Sequence, residues 1–252
     1  MKIRAGPNLE LKHDWKLRSR AATLLAASHT LSSSGFHKHL EMLTTLMERS
    51  TNPSRGRTLF EAFLWRASVM QPPHLPVVVA PGTSHIIPTA AAPAEPNSFI
   101  TASLECQEYT AYIARGTENA KCIRSGSSPH TGDKLESKVR MFLVDSGNSQ
   151  LRDCTPYIVS SLHASGDGYI RGVLSNGFEY IFIELLRNEN NEGATYRVSG
   201  SFTFQIQPSS LLGETADEIS GVLASWFLNS KEPTSASSDD WLSPCIGIGD
   251  AD

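Results

Sequence analysis

The strongest constraint on the fold is a hairpin signal between residues 169 and 186. Two apolar runs flank the tripeptide Ser175-Asn176-Gly177. Asn-Gly between such runs favours a tight turn, because a type I′ turn requires a positive φ at both central residues. The segment therefore predicts two antiparallel strands joined at Asn176-Gly177.

Four further segments carry helix signals. Apolar residues recur at helical spacing from Phe36 to Met47, and a second such segment covers residues 58–70 before Pro72-Pro73 ends it. A third helix is predicted within residues 149–164, where Pro156 either kinks the helix or lies in its first turn with Thr155 as the cap. The last helix is predicted to begin at the capping box Thr215-Ala216-Asp217-Glu218.

The remaining regular structure is predicted to be extended. The β-branched and aromatic content favours strands over residues 75–80, 98–114 (as one strand or a hairpin), 135–144 and 196–206, with loops over 81–97 and 115–133. Helices thus alternate with strands along the chain. This order predicts an α/β fold with a mixed central sheet flanked by helices.

Three regions are expected along the chain. Residues 1–35 are predicted to be a weakly structured extension with a helix over 15–27, residues 36–230 a single folded domain, and residues 231–252 an acidic disordered tail. Residues 1–66 carry eleven Lys and Arg but only five Asp and Glu. That excess is compatible with a polyanion partner such as nucleic acid, and a solvated helix face is the alternative explanation.

Composition restricts the class of protein. Of the 252 residues, 40% are hydrophobic and 19% charged, which is typical of globular domains. No apolar run is long enough to span a membrane, and the N-terminus lacks the apolar core of a secretory signal. The four cysteines are scattered without a Cys-x-x-Cys pair, which argues against a disulfide framework or structural zinc. We therefore expect an intracellular protein of the nucleus or cytoplasm, neither secreted nor membrane-bound. Walker A, G-x-G-x-x-G and G-x-S-x-G motifs are also absent from the sequence.

One charged triplet, Glu136-Ser137-Lys138, could take part in catalysis. In the predicted strand over 135–144, Glu136 and Lys138 are two residues apart and therefore point to the same face. A carboxylate beside an ammonium group can hold a divalent metal and offset charge on a phosphate. The alternative is an ordinary exposed pair on a strand.

The context of this triplet resembles the PD-(D/E)XK nuclease-like superfamily, in the form found in large fungal gene families. The resemblance covers roughly residues 57–230, and its most specific piece is the hairpin at 171–182, which is similar to an R-G-x-L-T-[ND]-G-x-x-W-I-F pattern. The other similar segments are residues 57–66 (first helix), Glu108-Tyr109 (an acidic position on the second strand), Leu135-Glu136-Ser137-Lys138 (a V-E-A-K strand) and Ser225-Trp226-Phe227 (the last helix).

The resemblance implies a restriction-endonuclease-like core and Mg²⁺-dependent hydrolysis of phosphodiesters in DNA or RNA. By carry-over, Glu108 and Glu136 would bind Mg²⁺, Glu61 would be an outer-shell or second-metal ligand, and Lys138 would orient the nucleophile. Gln150 would position substrate or water.

Two departures from the family pattern keep a second hypothesis open. Glu108 stands where the family usually has Asp, and the family's glutamine tends to follow a proline, whereas here Pro156 is followed by Tyr157. Both departures suit a degenerate site. The alternative to a nuclease is therefore a catalytically inactive interaction module that retains the fold.

Overall fold

A mixed β-sheet with helices on both faces organises the chain. The computed structural model describes residues 9–17, 33–48, 55–71, 77–88, 103–113, 138–144, 151–165, 167–188, 193–204, 211–228 and 242–244. The helices are α1 (Ser33–Glu48), α2 (Arg55–Val69), α3 (Thr155–Ala164) and α4 (Leu211–Leu228). The strands are β1 (Leu9–Leu17), β2 (Val77–Pro88), β3 (Ser103–Ile113), β4 (Lys138–Val144), β5 (Tyr169–Ser175), β6 (Glu179–Arg187), β7 (Ala194–Ser199), β8 (Phe202–Thr203) and β9 (Leu242–Pro244).

The sheet is mixed, as the sequence predicts. Its strand order is β2-β3-β4-β5-β6-β7-β1-β9, and β8 pairs with β6. Strand β3 is antiparallel to both of its neighbours, β2 and β4, whereas β4 and β5 are parallel. A parallel pair needs a crossover connection, and α3 lies between these two strands in the chain.

The two faces of the sheet carry separate apolar cores. Helices α1, α2 and α4 cover one face, where the aromatic rings of Phe60, Phe63 and Tyr180 pack together. Helix α3 covers the other face with Leu162, which contacts β5 at Gly172. A Cβ at that glycine would lie 2.6 Å from a Leu162 methyl group, so the small residue permits the close approach.

The predicted hairpin is confirmed as β5 and β6. Gly177 has a φ of +90°, which explains the glycine at the turn. The Asn176 Oδ1 atom accepts hydrogen bonds from the backbone N–H groups two and three residues on, at 3.0 and 2.8 Å. Strand β5 ends at Ser175 and β6 begins at Glu179, so three residues connect them rather than the two expected for a type I′ turn.

The four predicted helices are present with changed starts. Helix α4 begins at Leu211, so Thr215 lies inside it, and Asp217 of the expected capping box pairs with Arg66 instead. Cys154 occupies the cap position of α3 after a 3-10 turn, and Thr155 is the first residue of that helix. Pro156 lies in the first turn of α3, one of the two predicted arrangements.

One predicted loop and one predicted strand are corrected. Strand β2 continues to Pro88 through part of the predicted 81–97 loop, because an irregularity between Pro81 and Ser84 absorbs the break and pairing resumes beyond it. The strand predicted over 196–206 is instead two short strands, β7 and β8, which pair with different segments of β6.

The predicted extension and tail also contribute strands. Trp15, expected in a helix, lies in β1, which pairs in parallel with β7, and β9 pairs with β1. Apolar residues alternate along LELKHDWKL at Leu9, Leu11, Trp15 and Leu17, a period of two that favours a strand. The expected boundaries after residues 35 and 230 therefore do not mark the limits of the sheet. Among the helices of the described ranges, none is both long and apolar enough to cross a membrane.

Candidate functional site

Glu108 is the predicted metal ligand that the structure describes in most detail. It lies on β3, where it pairs with Phe142, while Arg140 on β4 pairs with Thr110. Glu108 and Arg140 are thus diagonal neighbours on one face of an antiparallel pair. Arg140 Nε donates to Glu108 Oε1 at 2.7 Å, and Arg140 Nη2 donates to Glu108 Oε2 at 2.9 Å. Both carboxylate oxygens therefore bind one guanidinium group.

A third contact fixes Arg140. Its Nη1 atom donates to the backbone carbonyl of Ser161 in α3 at 3.0 Å. The guanidinium carbon also lies 5.3 Å from the centroid of the Phe142 ring. Planar, two-point pairing of Arg with a carboxylate is among the stronger and more directional hydrogen-bond arrangements. The guanidinium therefore links β3, β4 and α3 in one rigid position.

An irregularity in β2 covers Glu108 from the edge of the sheet. Its Gly82 lies so close that an added Cβ would be 3.4 Å from the Glu108 side chain and carbonyl. Gln107 holds this segment, because its Nε2 atom donates to the Gly82 carbonyl at 3.0 Å and its Oε1 atom accepts from Ser84 at 2.8 Å. Glu108 is consequently only 8% exposed.

Glu61, the other described candidate ligand, has a different environment. It lies on α2, where its Oε1 atom accepts hydrogen bonds from Arg57 Nε at 2.8 Å and from the Tyr109 hydroxyl at 3.0 Å. Burial raises the pKa of Tyr109 to about 12, and the hydrogen bond to Glu61 adds to the rise. The hydrogen bond to Glu61 likewise raises the pKa of Arg57. Both partners of Glu61 are therefore donors at neutral pH.

The sheet separates Glu61 from Glu108. Tyr109, which bonds to Glu61, belongs to the core under α1, α2 and α4, whereas Cys106, two residues from Glu108, belongs to the core under α3. Consecutive residues of a strand point to opposite faces, so Glu108 lies on the α3 face. One Mg²⁺ ion needs its oxygen ligands about 2.1 Å away. Glu61 and Glu108 therefore cannot bind the same ion, and the expected role of Glu61 as an outer-shell or second-metal ligand stays a prediction.

The other three candidates are only partly described. Lys138 is the first residue of β4 and pairs with Tyr112, four residues along β3 from Glu108, but its side chain lies outside the described part of the chain. Glu136 and Gln150 lie outside the described residues altogether. A pocket shared by Glu108, Glu136 and Lys138 therefore stays a prediction.

The described residues do not fit the Mg²⁺ ion that the resemblance implies. Over the ranges that the structure describes, no group of three or more His, Cys, Asp and Glu side chains is arranged to hold a metal. More directly, an ion at Glu108 would compete with a guanidinium that already binds both oxygens and neutralises the charge. No catalytic step through a metal is derived from this arrangement.

Sequence reasoning missed Arg140 and Gln107. Arg140 follows Lys138 by two residues, so strand periodicity alone predicts that both point to one face. Its pairing with Glu108 has a weaker sequence signal, because the pairing depends on the register between β3 and β4. More than twenty residues separate these two strands along the chain. Gln107 gave no sequence signal for its contact with Gly82.

Two further ion pairs are buried on the opposite face. Arg66 Nη1 lies 2.7 Å from Asp217 Oδ1 and so joins α2 to α4. Arg171 Nε on β5 lies 3.2 Å from Glu184 Oε1 on β6 and donates to the Tyr169 hydroxyl at 2.7 Å. These contacts cross-link secondary-structure elements. No family model, curated protein or solved structure matches the chain.

Proposed function

We propose that this chain is a non-catalytic interaction module that keeps a nuclease-like scaffold without the chemistry. The observation that carries the proposal is the double hydrogen bond between Arg140 and Glu108. A catalytic carboxylate must offer its lone pairs to an ion or to water. Here both oxygens of Glu108 are engaged by an arginine that is itself tied to α3.

The element order supports the scaffold part of the proposal. Helix α2, the antiparallel strands β2 to β4, helix α3 and the parallel strand β5 follow one another in the order that the resemblance to PD-(D/E)XK proteins implies. Glu108 lies on the second of these strands. We therefore propose a restriction-endonuclease-like core in which an internal cation has replaced the metal.

The exposed apolar side chains favour a protein as the partner. Among the described residues, five large hydrophobic side chains are exposed, and four of them lie on α1 and α2: Met42, Leu46, Trp65 and Val69. A concentration of apolar side chains on adjacent helices is typical of a protein-binding surface. A phosphate backbone would instead be met by clustered, unpaired Lys and Arg side chains.

A Mg²⁺-dependent nuclease is the second candidate. The observation in its favour is the pairing of β3 with β4, which puts Lys138 on the strand next to Glu108. In this alternative Glu136 would join Glu108 as a ligand, and DNA or RNA would be the substrate. The hydrogen bonds of Arg140 would then have to open before an ion could bind Glu108.

A cleavage assay separates the two candidates. The full chain is incubated with single- and double-stranded DNA and RNA in Mg²⁺ or Mn²⁺, beside the variants Glu136→Ala and Lys138→Ala. Asp153→Ala, which removes an exposed acid from the 3-10 turn, serves as the control. We expect no cleavage by any of the four proteins and no heat of Mn²⁺ binding by calorimetry. Metal-dependent cleavage that Asp153→Ala retains and the other two variants lose would establish the nuclease instead.

A further inference from the structure

Helices α1 and α2 form the walls of an apolar groove. Phe36, early in α1, contacts Phe63 at 5.3 Å between ring centroids and lies 4.4 Å from the guanidinium carbon of Arg66, late in α2. The two helices are therefore antiparallel neighbours. The groove between them has a volume of about 660 Å³, and its apolar lining comes from Phe36, Leu43, Ala62, Trp65 and Val69.

Large apolar side chains of the groove are exposed to water, which is energetically unfavourable. Trp65 is 77% exposed although it is the largest side chain on α2. Val69 on α2 also lines the groove and is exposed, and Met42 and Leu46 are exposed elsewhere on α1. Removing apolar surface from water contributes about 25 cal/mol per Å², and an indole offers some 150–250 Å². Covering this surface would therefore supply substantial binding free energy.

Arg66 and Glu61, which line the groove, already have partners within the chain. Arg66 is paired with the buried carboxylate of Asp217. Glu61 accepts hydrogen bonds from Arg57 and Tyr109. An occupant therefore needs no compensating charge at either position, and an apolar face complements the groove because it leaves no buried charge unpaired.

The size of the surface favours one helix over a second copy of the chain. Helices of 15 and 16 residues are about 22–24 Å long, and packed axes lie about 8–10 Å apart. Their shared exposed face thus measures roughly 23 by 20 Å. This area is smaller than that of a standard stable interface, which buries about 800 Å² on each partner. A single helix about 10 Å wide and some 15 residues long matches the groove.

We infer that the α1–α2 groove binds an amphipathic helix of a protein partner. The helix presents uncharged apolar side chains at positions i, i+3 or i+4, and i+7, and Trp65 packs along its side. This inference rests on the proposed function, because it names the class of partner for the interaction module. Loss of peptide binding and detection of metal-dependent cleavage are independent results, so failure of one proposal is distinguishable from failure of the other.

Selection from a helix library tests the inference. The immobilised full chain is presented with displayed 16-residue amphipathic helices whose apolar face is randomised among Leu, Ile, Met, Phe and Gln. We expect selected peptides to share apolar residues at the stated spacing. Their affinity should fall at least tenfold for Trp65→Ala and for Ala62→Glu, and it should be unchanged for Leu186→Ala, which truncates an exposed leucine on β6.

Two outcomes would overturn the inference. One is a selection whose peptides bind all of these variants equally, or that yields no binding peptide. The other is a chain that is dimeric by light scattering and becomes monomeric on Ala62→Glu, because the groove would then be a self-association surface. Circular dichroism of each variant shows that the fold is retained, and Trp65→Ala is the safer variant because its side chain is mostly exposed.

Discussion

Gly56 in the first turn of α2 lies against Gly177 at the tip of the β5–β6 hairpin, and neither position has room for a Cβ atom. A Cβ on Gly56 would overlap the backbone carbonyl of Asn176, and a Cβ on Gly177 would overlap the backbone of Gly56. The hairpin turn, the strongest local signal in the sequence, is thereby also a tertiary contact. It holds the start of α2, the helix that carries Glu61 and Trp65, against the central strands.

Gly56→Ala should therefore destabilise the fold. The obstructing atoms are backbone and cannot move aside as a flexible side chain would, so we expect a loss of about 1–3 kcal/mol in the free energy of unfolding. Urea denaturation measures this loss. Gly168→Ala is the matched control, because nothing lies within 4 Å of its added Cβ. Equal stabilities for the two variants would contradict the close approach.

Glu108 and Arg140 should show strong energetic coupling. Replacing either residue alone leaves a largely buried charge without its partner, so Glu108→Gln and Arg140→Met should each destabilise the chain by about 2–4 kcal/mol. The double variant should lose less than the sum of the two, with a coupling free energy of about 0.5–3 kcal/mol. Denaturant unfolding of the four proteins provides the cycle. Simple additivity would show that the two side chains are not energetically coupled.

The Arg66–Asp217 pair gives a parallel prediction on the other face. Burial lowers the pKa of Arg66, and the charge of Asp217 opposes that shift. Asp217→Ala should therefore cost about 3–5 kcal/mol, because it removes the carboxylate that pairs with a buried guanidinium. The double variant Arg66→Met with Asp217→Leu should be more stable than Asp217→Ala, because it removes the buried guanidinium as well as the carboxylate. A double variant less stable than Asp217→Ala would contradict this account.

Alkaline pH should destabilise the fold because two buried groups, Cys106 and Tyr109, have raised pKa values. Burial raises the pKa of Cys106 from 9.0 to about 12 and that of Tyr109 from 10.0 to about 12. Between the ordinary and the raised pKa values the unfolded chain releases these protons first. The two groups therefore do not change the stability below pH 9, and they lower it as the pH rises towards 12. Each group contributes at most about 1.4 kcal/mol per pH unit.

Thermal unfolding between pH 7 and pH 11 measures this decline. Cys106→Ala should reduce the slope of the decline from pH 9 upward, and Tyr109→Phe should reduce it only above pH 10, while Cys154, whose pKa burial raises to about 11, maintains part of the decline in both variants. Their profiles below pH 9 should run parallel to that of the unaltered chain. A wild-type stability that stays level to pH 11 would refute the assignment.

Local sequence patterns anticipated much of the fold. The spacing from Phe36 to Met47 predicted α1, and Asn176-Gly177 predicted the β5–β6 hairpin, because helix and turn preferences depend on neighbours only a few residues away. The start of α4 was predicted wrongly because it depends on contacts that are distant in the sequence. Asp217 matched a capping box locally, but its structural role is a contact with Arg66, 151 residues away.

The candidate site divides in the same way. The sequence identified Glu108 as an acid on a strand and Glu61 as an acid on a helix. It did not predict that the two acids lie on opposite sides of the sheet, because this depends on which helix packs against which face. Arg140 was overlooked because its importance comes from a diagonal contact across two strands.

By itself, the sequence determined periodicity: which segments are helical, which are extended, and where the chain turns back at Gly177. Tertiary structure decided which charges meet. Only the register of β3 against β4 brings Arg140 to both oxygens of Glu108, and only the packing of α1 against α2 leaves Trp65 beside an open groove. The physical reason is range, since backbone preferences act over a few residues, whereas ion pairs and grooves require segments that are distant in the chain to become neighbours in space.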